Sequence, residues 1–159
     1  MNVGCRRYKA MQAALQDLAP LLIRVPLGVI FMAHGLDKWL GTFHGGGFLK
    51  TLAAFSQMGM PAPEVSTFLA TFGELIGGIL MLLGLMTPVG AFMIAVTMGV
   101  ATFFVHLGGG LFAQDGGFEY TLMLLAASLS VFISGPGKYS LDALLWGCKS
   151  ASETSCPLD

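Results

Sequence analysis

The sequence predicts an all-α fold, an integral membrane four-helix bundle with short interfacial helices. Two observations carry that reading. First, 55% of the 159 residues are hydrophobic and only 11% are charged, where a soluble domain carries roughly 25% charged residues. With a mean hydropathy of +0.75, the chain has too little polar surface to cover a water-soluble globule. Second, four apolar segments approach the roughly 20 residues that a helix needs to cross a bilayer. A net charge of −1 gives no electrostatic reason to expect nucleic acid as a partner. Many of the 22 glycines fall inside apolar segments, where they let helix backbones approach closely.

Residues 1–17 form a basic segment containing Arg6, Arg7 and Lys9. They do not read as a signal peptide, because the apolar stretch beginning at Leu18 is too long and lacks a small-residue cleavage site. The first span is Leu18 to Leu36, interrupted by Arg24 and His34. Between Gly41 and Glu64 lies a connector, with a Gly45-Gly46-Gly47 turn and then a short helix, Phe48 to Met58. Phe48, Leu52 and Phe55 share one face of that helix, which suits a segment lying along the membrane surface. The second span is Val65 to Leu85 and carries Glu74. Met86-Thr87-Pro88 is a tight turn, and Pro88 suits a helix start. The third span, Pro88 to Leu107, ends at His106 before Gly108-Gly109-Gly110. The fourth and shortest, Phe118 to Ser134, stops at Gly135-Pro136-Gly137. Ser140 is placed to cap a short helix, Leu141 to Trp146, whose Leu144, Leu145 and Trp146 suit the interface. Residues 18–146 thus form one membrane domain, and 147–159 read as a disordered tail.

Basic residues set the orientation. With the N-terminus in the cytoplasm, that side holds Arg6, Arg7, Lys9, Lys138 and Lys149, and the other side holds Lys38 and Lys50. With an even number of spans, both termini are then cytoplasmic. Cys5, Cys148 and Cys156 all fall in the terminal segments, where a reducing compartment disfavours disulfides. No Cys-x-x-Cys pair exists for a thiol relay.

Ionisable side chains within a span are costly and by default mark function. Arg24, His34, Glu74 and His106 are the candidates, joined by Asp37, Lys38 and Glu119 at the outer boundary. Helical spacing sorts them into stripes. Arg24, Gly28, Phe31 and Gly35 align on the first span. Thr67, Thr71, Glu74, Gly78 and Met81 align on the second, Met98, Thr102 and His106 on the third, and Glu119, Met123, Ala126 and Ser130 on the fourth. Each stripe is expected to face the bundle interior, because lipid tails cannot satisfy polar groups. At a rise of about 1.5 Å per residue, Glu74 lies roughly 10 Å below the outer boundary, counted from Thr67. The stripes therefore predict a polar pocket opening outward and floored by Glu74, with Arg24 deeper and able to reach Glu74 or to snorkel to the cytoplasmic surface.

Three readings fit such a pocket. A quinone site needs a donor for a carbonyl oxygen and a proton acceptor for a quinol. His34 or His106 with Glu74 or Glu119 supplies both. A metal ion could use two histidines on different helices plus Glu119, and two histidines alone could hold a haem. A structural network would pair Arg24 with Glu74 and His106 with Glu119 only to fix packing. The ten methionines are scattered and read as core filler rather than copper ligands. Gly73-x-x-x-Gly77 is a helix-packing spacing, and His44 reads as a solvated loop residue.

The runs that carry these residues resemble those of the DoxX family. Arg24-Val-Pro-Leu-Gly28-Val-Ile-Phe-Met-Ala-His34-Gly35-Leu-Asp-Lys38 is similar to its first-helix signature. Gly73-Glu74-Leu-Ile-Gly77-Gly78-Ile-Leu-Met-Leu-Leu-Gly84-Leu is similar to its second. His106 before a glycine-rich loop, Gly117-Phe-Glu119-Tyr and Gly135-Pro-Gly137-Lys-Tyr-Ser140-Leu-Asp142 complete a match running from about Leu18 to Leu144. The resemblance implies a bacterial inner-membrane protein with a four-helix core and a link to redox chemistry. The related DoxD proteins belong to a thiosulfate:quinone oxidoreductase, and other members are associated with oxidative-stress or thiol-redox complexes.

The combined expectation is a membrane subunit of a redox system that binds quinone and works with a partner oxidoreductase. Glu74, His106 and Glu119 are the candidate catalytic groups. Arg24, His34, Lys38, Glu74 and His106 are the candidate binding groups. In this scheme the two histidines donate hydrogen bonds, a carboxylate exchanges the proton, and Arg24 and Lys38 hold the carboxylates ionised. A non-catalytic scaffold or assembly factor, a metal- or haem-binding protein and a solute transporter stay open as alternatives. The glycine-rich faces permit a homo-oligomer.

Overall fold

A computed structural model describes residues 3–44 and 46–146. Expectations for Gly45, Cys148, Lys149, Cys156 and the tail, and for the side chains of Cys5, Arg6, Arg7 and Lys9, lie outside the described residues. The backbone forms α1 (Val3–Leu40), α2 (Gly47–Gln57), α3 (Pro63–Leu83), α4 (Thr87–Val100), α5 (Glu119–Ser134) and α6 (Leu141–Trp146). Helix α4 runs on as a π-helical segment, Ala101–His106, and a 3-10 turn, Leu107–Gly109. No strand occurs among the described residues.

Helix α1 begins well before the expected span and continues past Leu36 to Leu40. It stops where Gly41 takes a left-handed φ of 69°, a conformation that costs glycine nothing. Pro20 and Pro26 sit inside it, as membrane helices tolerate when neighbouring groups take up the freed carbonyls. Leu15–Leu40, Pro63–Leu83 and Thr87–Gly109 are each long and apolar enough to cross a membrane. Helix α5 has 16 residues, about 24 Å of helix against a hydrocarbon core of about 30 Å. It completes the bundle, running antiparallel to α4 with Phe92 facing Phe132 at 6.1 Å.

Backbone proximity fixes how α1 meets α3. A Cβ on Gly28 would lie 2.6 Å from the Leu82 nitrogen, and one on Gly35 would lie 2.5 Å from that of Leu75. From the other side, a Cβ on Gly78 would run into the backbone of Phe31 and Met32. Three glycines thus set one antiparallel register, and in a membrane close van der Waals packing is the main attraction left between helices. Helices α3 and α4 meet in the same way, with a Cβ on Gly77 falling 3.1 Å from the Gly90 carbonyl oxygen. Leu27, Phe31, Met81, Ala91, Ile94, Met98 and Val131 fill the centre.

Three of the four expected stripes face inward. Arg24, Gly28, Phe31 and Gly35 are buried, as are Thr67, Thr71, Glu74, Gly78 and Met81. Met98 and Thr102 are buried too, with His106 half-buried above them. The α5 stripe is a correction. Met123, Ala126 and Ser130 are exposed, and Thr121, Ser128 and Val131 take the buried positions instead. Small hydroxyl side chains occur on both faces of α5, so polarity alone does not choose between them. What chooses is that the hydroxyls of Thr121 and Thr102 lie 2.9 Å apart, a contact between α5 and the end of the third span.

Surface helix α2 matches its expected face. Phe48, Leu52 and Phe55 are half-buried while Leu49, Lys50, Ala53 and Ala54 are exposed. If glycine contact sets the α1–α3 register, Gly78→Leu should destabilise the detergent-solubilised protein by about 3 kcal/mol or more, the upper end of overpacking costs. Gly99→Ala, with open space around it, should leave stability unchanged in the same chemical-denaturation series.

Candidate functional site

The polar residues named by the sequence separate into two centres at opposite ends of the α1–α3 seam. Arg24 occupies one and is 2% exposed. It donates to the carbonyl oxygens of Tyr139 and, at 3.5 Å, Met81. A Cβ on Gly84 would collide with its guanidinium, so only glycine fits there. Asp142 of α6 adds a negative charge nearby. The carboxylate of Asp142 accepts from the Met86 N–H at 2.7 Å and the Thr87 N–H at 2.8 Å. It thereby caps α4 and holds Met86 at an unfavourable φ of 45°. Ser140 caps α6 as expected, accepting from the Ala143 N–H at 3.1 Å. Arg24 therefore ties α1 to the α3–α4 turn and to the segment before α6.

This overturns the pairing of Arg24 with Glu74. The α1–α3 register places Arg24 beside Gly84 and Met81, about 21 Å along α1 from Lys38. Arg24 belongs to a structural centre and does not line the cavity described next.

Glu74 forms the other centre, with its side chain 3% exposed and ion-paired to Lys38. It stands about 16 Å along α3 from Pro63. Beside this pair lies a cavity of about 620 Å³, within the roughly 300–1,000 Å³ range of small-molecule sites. His34 and Lys38 of α1, Glu74 of α3 and His106 of the π-helical segment all line it. The remaining wall is largely apolar: Ile30, Phe31, Leu69, Ala70, Met93, Val96, Val100 and Leu124 contribute, with Phe55, Met58 and Met60 from α2 and the turn after it. Four of the six candidate side chains thus converge on one cavity, although their sequence positions span most of the bundle.

His106 is held at Nδ1, 2.9 Å from the Gly116 carbonyl oxygen. A carbonyl only accepts, so Nδ1 carries the proton and, in the neutral ring, Nε2 is an acceptor. The expected donation by His106 therefore requires the doubly protonated ring. The π-helical geometry of Ala101–His106 is a recurrent feature of functional sites, and nothing in the apolar pattern of the third span announced it.

Glu119 stands apart from the cavity and from His106. Its carboxylate accepts from the Ala113 N–H at 2.8 Å, pinning the loop before α5, and a negative charge in a first helical turn is electrostatically favourable. The expected His106–Glu119 pair is thereby replaced by two separate contacts to the same loop. Tyr120, the next residue, does line the cavity and escaped the sequence reading because aromatic residues are routine at membrane interfaces. Asp37 instead organises the turn after α1, accepting from the Phe43 and His44 N–H groups at 2.9 Å each. Among the described residues no group of three or more His, Cys, Asp or Glu is arranged to hold a metal ion.

Fold and site together define a multi-span helical membrane protein with a largely apolar, charge-bearing cavity inside its bundle. The DoxX family model matches residues 19–107, more than half of the chain, and the protein belongs to the DoxX family. It is 30% identical over 139 residues to the "Putative oxidoreductase CatD" of Bacillus subtilis, covering 87% of this chain and 96% of that protein. It is 29% identical to the inner membrane protein YphA of Escherichia coli over 81% of this chain and 91% of YphA. An uncharacterized membrane protein of Mycobacterium tuberculosis, Rv3486, is 29% identical over 86% of this chain and 84% of its own length. No solved structure matches the chain.

If Lys38 is what makes a buried Glu74 tolerable, Lys38→Met should cost about 3 kcal/mol, the low end for breaking a buried pair because Lys38 is partly exposed. Lys38→Met combined with Glu74→Leu should recover most of that loss. A double-mutant cycle on denaturation midpoints in detergent measures both.

Proposed function

We propose that this protein is the membrane subunit of a redox system and binds a quinone in the cavity beside Glu74. The observation that carries the reading is the convergence of Lys38, Glu74, His34, His106 and Tyr120 on a largely apolar wall. An apolar pocket with a few placed polar groups suits a flat ring bearing two opposed oxygens. CatD, a relative described as an oxidoreductase in name, points the same way.

Bound there, a quinone supplies a two-electron, two-proton couple. The chain's own side chains do the rest. Lys38 and Tyr120 donate to a carbonyl oxygen, and His34 does so from whichever ring nitrogen carries its proton. Glu74 passes a proton to a ring oxygen as the partner's electrons reduce the quinone, and the second proton comes from the outer aqueous face. Neutral His106 accepts through Nε2. The apolar wall excludes water. Electrons come from a partner oxidoreductase, since the sequence has no Cys-x-x-Cys pair. The α5 helix makes a fourth crossing, both termini lie in the bacterial cytoplasm, and the Lys38 end of the bundle faces outward, as the distribution of basic residues favours.

A second reading has one observation in its favour. The Lys38–Glu74 pair is closed on itself, as a purely structural bridge in a scaffold or assembly factor is. Binding separates the two. Tail-less menadione is titrated against a Trp146→Phe background, in which Trp39, one residue from Lys38, reports by fluorescence quenching. Saturable quenching should weaken about ten-fold in Glu74→Gln and in His106→Ala, the effect of losing one polar contact to the ligand, with thermal stability followed in parallel. Unchanged binding in both variants contradicts the quinone site and leaves the scaffold.

A further inference from the structure

The cavity has a second mouth that the polar groups do not explain. Helices α3 and α4 stay in close contact from the Gly77–Gly90 crossing to Gly73, where a Cβ would lie 3.1 Å from the Thr97 hydroxyl oxygen. Beyond Gly73 the space between the two helices belongs to the cavity. Leu69 on α3, Val96 and Val100 on α4 all line it, yet they are 61%, 50% and 39% exposed. Exposed lining residues mark where the cavity opens: His34, Met58 and Tyr120 at the polar end, and Leu69, Phe92, Val96 and Val100 along α3 and α4. The latter four lie within Pro63–Leu83 and Thr87–Gly109, the segments that cross the membrane, so the medium outside this mouth is lipid. Leu69, Ala70, Val96 and Val100 offer it no polar group.

The charged groups lie elsewhere, on the α1 side and at the top, where Lys38, His34 and His106 gather and Met58 and Met60 follow α2. One ligand chemistry matches that division, a polar head joined to a long hydrocarbon chain. The volume, about 620 Å³, accommodates a ring and the start of a chain but not a long isoprenoid tail, which has to continue outside.

We infer that the cavity takes its ligand laterally from the bilayer, as a quinone bearing an isoprenoid tail. The ring sits against Glu74, Lys38 and His106, and the tail leaves between Leu69 and Ala70 of α3 and Val96 and Val100 of α4. This rests on the quinone reading above and adds to it the class of quinone and its route. The tail never leaves an apolar medium on this path, so entry requires no transfer of hydrocarbon through water.

The test compares menadione with a menaquinone carrying a geranylgeranyl tail on the same purified protein, with Trp39 quenching as the readout. Wild type should bind the tailed quinone at least about ten-fold more tightly, because the first part of the tail buries apolar surface in the mouth. Val100→Phe and Ala70→Phe should erase that gain, weakening the tailed quinone by about ten-fold more than they weaken menadione. Ile79→Phe, on an exposed α3 position outside the cavity, should alter neither. Thermal stability is recorded for each variant, and the exposed Val100 site keeps the comparison valid if Ala70→Phe misfolds. Menadione binding with no gain from the tail, or equal weakening of both quinones by the mouth variants, overturns the lateral route while the quinone site stands. A wild type that binds neither quinone overturns the quinone reading and this inference with it.

Discussion

Glu74 sits at the seam of two membrane helices, and the ammonium of Lys38 is the cation it meets there. Glu74 has no water to fall back on, so its charge must be satisfied inside the protein, and Lys38 reaches it from the partly exposed edge of the bundle. That requirement reaches far through the fold. Lys38 reaches Glu74 only if α1 and α3 lie antiparallel in one register and close enough for short side chains to be absent between them. Gly28, Gly35 and Gly78 provide that approach, and Arg24 fastens the far end of the same seam to Met81 and Tyr139. Two cations on one helix, Arg24 buried and Lys38 partly exposed, thus have different tasks. One locks the bundle to its final turn, and the other stands at the edge of a cavity.

That division was only partly legible in the sequence. Periodicity placed the buried stripes on three helices correctly, because there the polar or charged residues chosen recur with small or apolar ones at helical spacing on an inward face. It failed on α5, where Ser130 and Ser128 lie on different faces and only the Thr102–Thr121 contact shows which is inside. The choice of partner was illegible for a related reason. Arg24 and Glu74 lie on inward stripes and Lys38 at the outer boundary, but which cation reaches the carboxylate depends on helix register, and register is set by contacts between backbones. Glu119 misled because its charge suggested chemistry, while its place at a helix start gives it a loop N–H to bind. Tyr120 was missed because an aromatic at a membrane boundary has an ordinary explanation.

The cavity combines features that pull in opposite directions. Its wall is apolar enough to be continuous with the bilayer between α3 and α4, yet one edge carries an ion pair and two histidines. In such a setting each polar contact is strengthened by the low dielectric, and each unpaired group is penalised by it. Keeping Glu74 paired with Lys38 makes the site tolerable when nothing else is bound, and a ligand with complementary oxygens can share those groups without leaving a charge stranded. The π-helical segment serves the same end by carrying His106 against Gly116, which fixes its tautomer.

The most direct test of this account is the intact mass of the protein released from detergent under non-denaturing conditions, first as purified and again after adding a tailed menaquinone. The account requires a bound species of quinone mass that is present or can be loaded at one per chain, and that Glu74→Gln retains poorly. A bare polypeptide mass under both conditions, from protein whose thermal stability shows it to be folded, would contradict it.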